Sequence, residues 1–185
     1  MDIKASEIQG WMSNGEMNWL AERAGTCDLI IEIGAFMGRS TRIMGTHVRG
    51  KVITIDDFLV RNIIRSDRLV RYAWRGISMD KDWLYRKCRR NLADLIEQGK
   101  VEIMRKTSEQ AVLTLRELSG KVDMVFIDGD HNCEAVKKDI INYKPLIRTG
   151  GILCGHDFAK EVKRAVVELL PSAKRVAGSI WAYEC

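Results

Sequence analysis

The sequence predicts an α/β fold: a seven-stranded sheet that is mostly parallel, ends in an antiparallel hairpin and carries helices on both faces. Three observations lead to it. Short apolar runs alternate with amphipathic helical patterns, which is typical of a parallel sheet covered by helices. The first of these runs turns through glycines directly into a helix. The last two strand-like runs are separated by Gly178, too short a link for a parallel crossover, so they must pair antiparallel.

The elements follow in order along the chain. Before the first strand, a helix is expected from about Asn14 to Ala24, because Ser13 and Glu16 have the spacing of a capping box. The strands are predicted at 29–33, 51–55, 101–105, 122–127, 151–155, 174–177 and 179–184. The other helices are predicted near 39–48, 80–98, 107–119, 132–147 and 160–170. Because proline is scarce and no low-complexity linker interrupts the pattern, residues 1–185 are expected to form a single domain.

Composition limits the classes of protein to be considered. No apolar run approaches the roughly 20 residues that a membrane-spanning helix needs, and no apolar signal segment precedes the first helix. The five cysteines are odd in number and include no C-x-x-C pair. This pattern favours reduced thiols over a disulfide framework or a zinc site, so we expect a cytoplasmic protein that does not contact membranes.

Polar or glycine residues follow five strands in succession, at the point where each strand ends. They are Gly34 and Gly38, Asp56, Ser108, Asp128 with His131, and Asp157. Ligands of open α/β sheets bind beyond these carboxyl ends. Glu32, at the end of the first strand, would repel a pyrophosphate and would favour a cation or hydroxyl groups. Asp56, 22 residues beyond Gly34, is placed to accept hydrogen bonds from both hydroxyls of a ribose.

The motifs resemble those of a known family. Glu32-x-Gly34-x-x-x-Gly38, Asp128-Gly-Asp130-His131 and the run from Gly150-Gly151 to Gly155-His156-Asp157 are similar to small class I S-adenosylmethionine (SAM) methyltransferases. The branch lies near the catechol and caffeoyl-CoA O-methyltransferases and the cephalosporin-hydroxylase-like proteins, and the resemblance covers residues 11–181. It implies a Rossmann-like fold, SAM as cofactor and a hydroxyl of a small molecule or glycan as methyl acceptor. The cofactor-binding residues that it implies are Glu32, Gly34, Ala35, Gly38, Asp56, Ser108 and Asp128.

The chemistry of the residues at the ends of strands four and five indicates a catalytic group of Asp128, His131 and Asp157. His131 is the candidate base, because an unperturbed imidazole has a pKa near ~6.5; the alternative is that it caps the helix after it or packs on the cofactor. Metal-dependent members of the family bind Mg²⁺ through the residue at Asp128 and through an Asp-Asn or Asp-Asp pair after strand five. That pair is Asp157-Phe158 here, so one oxygen ligand is missing and the metal remains unassigned. Asp130, His131 and His156 are the residues that could replace it.

A basic segment bears on which methyl acceptor the protein uses, but it does not decide between the alternatives. Ten lysines and arginines and three aspartates lie between residues 61 and 90, a local net charge of +7. Arg61, Arg65, Arg68, Arg71 and Arg75 would form one stripe on a helix, and Tyr72, Trp74, Trp83 and Tyr85 lie among the basic residues. The stripe is either a solvated face or, over residues 57–80, a lid that attracts an anionic acceptor.

Other functions stay open beside methyl transfer to a small molecule. The basic segment at 61–90 would suit RNA, but an RNA-directed methyltransferase is disfavoured because the Asn/Asp-Pro-Pro-Tyr and Pro-Cys motifs of base methylation are absent. A non-catalytic SAM-binding protein is a further alternative. A nicotinamide oxidoreductase is disfavoured by Glu32. Trp11, Trp19 and Trp181 belong either to the core or to a homodimer face.

Overall fold

The computed structural model describes residues 4–59 and 68–185 of the chain. Seven strands form one sheet: β1 (Leu29–Ile33), β2 (Lys51–Ile55), β3 (Val101–Met104), β4 (Val122–Ile127), β5 (Ile147–Gly155), β6 (Lys174–Ala177) and β7 (Ile180–Glu184). The α-helices are α1 (Asn14–Ala24), α2 (Arg39–His47), α3 (Arg68–Met79), α4 (Trp83–Asn91), α5 (Ala93–Glu97), α6 (Ser108–Leu115), α7 (Cys133–Tyr143) and α8 (Lys160–Leu169).

The sheet has the order β3-β2-β1-β4-β5-β7-β6. Strands β1 to β5 pair parallel to one another, whereas β7 pairs antiparallel to both β5 and β6. The predicted sheet with its C-terminal antiparallel hairpin is therefore confirmed. Because the strand order reverses between β1 and β4, the carboxyl ends of these two strands border the crevice in which α/β sheets bind ligands.

Apolar side chains fill a layer on each side of the sheet. Successive residues of β1 alternate between the two layers, so that Ile30 lies in one and Ile31 in the other. Trp181 is fully buried in the second layer, which places it in the core. Trp11 is 53% exposed and packs against Phe36, with ring centroids 5.0 Å apart. Burial on both faces explains why the strands are continuous apolar runs.

The helix predicted near 107–119 ends at Leu115 and is followed by a 3-10 turn, and three further element boundaries differ from the prediction. The single helix expected near 80–98 is two helices, α4 and α5, which meet at Leu92, whose side chain is fully buried below Gly38. The predicted helix at 132–147 ends at Tyr143, and Pro145 lies in a 3-10 turn because its nitrogen cannot donate a helical hydrogen bond. Strand β5 begins at Ile147 rather than at residue 151, with an irregularity in its pairing with β4.

The chemical state of the cysteines and the length of the helices fit the compositional expectations. All five cysteines are free thiols, and four of them are buried. Within residues 4–59 and 68–185, none of the helices combines the length and the apolar character needed to cross a membrane.

Candidate active site

The turn between β1 and α2 is built on two glycines in the left-handed region. Gly34 has φ +94°, and a Cβ on it would lie 2.1 Å from the backbone oxygen of Asp128. Gly38 has φ +87° and precedes α2 directly. Its N–H donates to the carbonyl of Ala35 at 2.7 Å, which closes the turn. Glycine is required at Gly34 because the turn packs directly on the loop that follows β4.

Glu32 is fully buried beneath this turn. Its carboxylate accepts hydrogen bonds from three hydroxyls: those of Thr41 at 2.5 Å, Thr54 at 2.6 Å and Ser40. Burial raises the pKa of Glu32 to about 7, although the three hydroxyls act in the opposite direction. The donors that satisfy Glu32 thus come from the protein itself, and its contact with a cofactor stays a prediction.

Asp56 lies beside the same turn, at the end of β2. Its Oδ2 accepts the backbone N–H of Phe36 at 2.8 Å, and its Oδ1 accepts that of Phe58 at 2.6 Å. Burial raises its pKa, while these two N–H donors lower it. The backbone N–H of Ala35 lowers the pKa in the same way, so three backbone donors act on this carboxylate, and its contact with a ribose stays a prediction.

Ser108 begins α6 at the end of β3 and is half-buried. Its carbonyl accepts the hydroxyl of Tyr143 at 2.8 Å. Its side chain hydrogen-bonds to Asp139, a buried carboxyl whose pKa burial raises to about 6. These contacts fix Ser108 between the sheet and α7. The contact of Ser108 with an adenine stays a prediction.

The three predicted catalytic residues lie together at the ends of β4 and β5. His131 Nε2 lies 3.5 Å from Asp128 Oδ1, and His131 Nδ1 lies 3.5 Å from Asp157 Oδ2. One ligand atom of each of the three lies within 4.8 Å of the other two, which is a spacing that could hold a metal ion. The hydrogen bond to Asp128 raises the pKa of His131, and burial raises that of Asp128 itself. The roles of these residues in catalysis remain predictions.

A second histidine, His156, lies on the buried side of this cluster. His156 is 6% exposed, and its Nδ1 lies 3.6 Å from Asp128 Oδ1 and 3.5 Å from Asp157 Oδ1. Its Nε2 lies 3.2 Å from Oε1 of Glu16, which also accepts the backbone N–H of Ser179 at 2.7 Å and its hydroxyl at 2.8 Å. Burial would raise the pKa of Glu16, but N–H and hydroxyl donors from Ser179 and Ser13 lower it to about 2.

Sequence reasoning assigned Glu16 only to the capping box at the start of α1, which the structure contains. Glu16 and His156 are 140 residues apart, so no local pattern signals their contact. Ser40 and Thr41 were also missed as partners of Glu32. A signal existed for them, because hydroxyl residues in the first turn of a helix after a glycine turn face the end of the preceding strand.

The basic segment is described only in part, because residues 60–67, including Arg61 and Arg65, lie outside the described ranges. Arg71 and Arg75 are exposed on α3. Tyr85 is covered by the guanidinium of Arg105, 4.9 Å from the ring centroid, and by Arg89 at 5.8 Å. Arg89 of the basic segment is therefore engaged with an aromatic ring of the protein itself, as is Arg105 from outside the segment.

Comparisons with known proteins agree on one family and one fold. A family model described as a methyltransferase domain matches residues 31–158. No curated protein sequence matches the chain.

Solved structures with the same fold include Rv0187 from MTB in its cofactor-bound form, at 18% identity and a TM-score of 0.67, with 96% of this chain and 83% of that one covered. The O-methyltransferase from Bacillus cereus in complex with SAH matches at 15% identity and a TM-score of 0.67, and the match covers 98% of this chain and 86% of that one. TomG from Streptomyces achromogenes is an O-methyltransferase of tomaymycin synthesis, solved in complex with SAM. It matches at 17% identity and a TM-score of 0.65, and the match covers 94% of this chain and 81% of that one.

Proposed function

Since this chain belongs to the methyltransferase-domain family, we propose that it transfers a methyl group from SAM to a hydroxyl oxygen of a small-molecule or glycan acceptor. One observation carries the proposal. The glycine turn after β1 packs against the backbone oxygen of Asp128, so the predicted cofactor turn and the Asp128–His131–Asp157 cluster are adjacent. O-methyltransferases among the neighbours of known structure support oxygen as the acceptor atom.

The cofactor would lie along the carboxyl ends of β1, β2 and β3. The turn from Gly34 through Ala35 to Gly38 leads into the N-terminus of α2, whose backbone N–H groups would face the cofactor. We assign the ribose hydroxyls to the carboxylate of Asp56, at the end of β2, and the adenine edge to the half-buried Ser108, after β3. SAM supplies an activated methyl group on a positively charged sulfur, to which the carboxylate of Asp128 is electrostatically complementary.

The cluster would act on the acceptor. His131 would accept the hydroxyl proton on Nδ1, while Asp128, 3.5 Å from Nε2, holds the proton of that nitrogen and orients the ring; Asp157, 3.5 Å from Nδ1, would stabilise the imidazolium that forms. The acceptor oxygen then forms the new bond to the methyl carbon, and the carbon–sulfur bond breaks with its electron pair going to sulfur. Alignment of the oxygen with that bond is the main contribution of the protein.

Residues 57–80 are proposed as the lid of the acceptor site. Of this range, the structure describes residues 57–59, which follow Asp56, and residues 68–80, which include α3. Arg71 and Arg75 are exposed on α3. Their positive charge favours an anionic acceptor such as a carboxylate or a phosphorylated sugar.

Calorimetric titration with SAM and with NAD, followed by an assay of S-adenosylhomocysteine formation on a panel of phenols and sugar nucleotides, tests the proposal. We expect micromolar SAM binding, no NAD binding and turnover of at least one hydroxyl acceptor. His131→Gln should leave SAM binding unchanged and lower the rate by about 10²–10⁴-fold. His47→Gln is the matched control, because His47 is exposed at the end of α2.

Two outcomes would contradict the proposal. Binding of NAD in place of SAM would mean that the turn after β1 holds another cofactor. Tight SAM binding without product on any acceptor would favour a non-catalytic SAM-binding protein.

A further inference from the structure

We infer that Asp139 is a positioning residue for the adenine end of the cofactor: it fixes the hydroxyl of Ser108 as a hydrogen-bond acceptor and thereby makes the site selective for a purine with a 6-amino group. The inference deepens the proposed function and rests on it, because it takes Ser108 to lie at the adenine edge. Asp139 lies on α7 and has no part in the catalytic cluster proposed above.

Asp139 is a buried acid that lies among other acids. It is 4% exposed. Burial and the charges of Glu109 and Asp130 raise the pKa of Asp139 to about 6, although a hydrogen bond from the hydroxyl of Ser108 lowers it. Burying a carboxylate is costly unless it receives hydrogen bonds, so the bond from Ser108 is the contact that favours its ionised form. At about pH 8 this ionised form predominates.

Two residues of α7 hold Ser108 at the start of α6. Asp139 and Tyr143 are four residues apart and therefore lie on the same face of their helix. Asp139 binds the side chain of Ser108, and the hydroxyl of Tyr143 donates to the carbonyl of Ser108 at 2.8 Å. Ser108 is thus anchored both by its side chain and by its backbone, so its hydroxyl has a defined position at the end of β3.

The ionised carboxylate also sets the direction of the hydrogen bond. A carboxylate has no proton to donate, so the hydroxyl of Ser108 is the donor to Asp139. A second neighbour of this hydroxyl, Oε2 of Glu109 at 3.5 Å, is a carboxylate oxygen as well and favours the same direction. A hydroxyl has one proton and two lone pairs. Once the proton is directed at Asp139, Ser108 offers only lone pairs to a ligand.

This polarity distinguishes between purines. The 6-amino group of adenine donates hydrogen bonds, whereas the 6-oxo group of hypoxanthine accepts them. The lone pairs of Ser108 bind the amino group and repel the oxo group. Sites that are built to hydrogen-bond one polar group strongly reject an analogue without it, because their own polar groups are then left unpaired. A neutral side chain in place of Asp139 offers both a donor and an acceptor, and Ser108 is then free to turn its proton towards the ligand.

Calorimetric titration of the full-length protein with S-adenosylhomocysteine and with S-inosylhomocysteine tests the inference, because the two ligands differ only in adenine against hypoxanthine. At about pH 8 we expect the wild type to bind the adenine ligand at least about 10-fold more tightly. In Asp139→Asn and in Ser108→Ala this ratio should fall to about 3 or less. Glu109→Gln is the matched control and should retain the wild-type ratio, because Glu109 is exposed and its oxygen is 3.5 Å from the hydroxyl.

The ratio separates positioning from a general loss of structure. A variant that merely loosens the fold weakens both ligands equally and leaves the ratio unchanged. The wild type provides a second measurement if Asp139→Asn does not fold: at about pH 5, below the pKa of Asp139, its ratio should also fall to about 3 or less.

Three results would overturn the inference: equal binding of the two ligands by the wild type, a ratio that neither Asp139→Asn nor the lower pH changes, or a ratio that Glu109→Gln lowers as much as Asp139→Asn does. Each of them refutes only the role of Asp139 as long as S-adenosylhomocysteine binds to the wild type. If neither S-adenosylhomocysteine nor SAM binds to the wild type, the proposed function fails, and the inference fails with it.

Discussion

Replacing Glu32 by glutamine is expected to remove a pH dependence of stability that the buried carboxyl imposes. Burial raises the pKa of Glu32 from 4.5 to about 7. Because the folded-state pKa is above the unfolded one, folding favours the protonated form. This stabilisation is fully present below pH 4.5 and is lost as the pH rises through about 7.

The magnitude follows from the same two values. Each unit of pKa difference corresponds to about 1.4 kcal/mol, so the wild-type protein should lose about 3 kcal/mol of unfolding free energy between about pH 4.5 and pH 8 on account of this group. Glutamine cannot ionise, and it retains an oxygen and an amide for the hydroxyls of Thr41 and Thr54. The Glu32→Gln variant should therefore gain about 3 kcal/mol relative to the wild type over this range.

Urea unfolding followed by tryptophan fluorescence at constant ionic strength, at intervals from about pH 5 to pH 8, gives the free energies. Other titrating groups cancel in the difference between the two proteins. Glu102→Gln is the control, because Glu102 is half-exposed and pairs with Lys51 on the surface. Parallel curves for wild type and Glu32→Gln would refute the reasoning. A wild type that gains on the variant as the pH rises would show that the three hydroxyl donors outweigh burial.

Three further changes have expected outcomes. Asp56→Asn should weaken SAM binding about 10–100-fold in calorimetry, because hydrogen bonds to a charged group are worth about 1.5–3 kcal/mol, whereas Asp57→Asn should change it little. Gly34→Ala should lower the melting temperature far more than Gly99→Ala, since both have positive φ but only at Gly34 would the Cβ meet a backbone oxygen, at 2.1 Å; equal shifts would contradict this. Asn91→Ala should cost about 1–3 kcal/mol in urea unfolding, because its buried amide donates to the carbonyl of Met37 at 2.8 Å, and an unchanged midpoint would show that the bond contributes nothing.

The strands were predictable because the residues that begin and end them are adjacent in the sequence. β1, β2 and β4 begin and end where predicted, since each is an apolar run bounded by charged or glycine residues. The start of β5 at Ile147 was missed because polar residues and two glycines fill its first half. The division between α4 and α5 was missed because it depends on Leu92 packing under Gly38, a contact between distant segments.

The proximity of three candidate residues was predictable to the same extent. Asp128, His131 and Asp157 meet because the carboxyl ends of neighbouring parallel strands share one edge of the sheet, and that follows from strand order. The position of His156 Nδ1 depends on Glu16 and on the turn at Ser179, which come together only after the hairpin has packed on α1. Sequence spacing contains no trace of such a contact.

The carboxylate of Glu16 joins positions that are 163 residues apart. Contacts of such long sequence separation pay their loop-closure entropy late in folding. His156 is oriented by Glu16, and Glu16 is held in turn by the backbone N–H and the hydroxyl of Ser179. The orientation of His156 is thus tied to a contact between the first helix and the C-terminal hairpin, so a change in either segment would reach the cluster through Glu16.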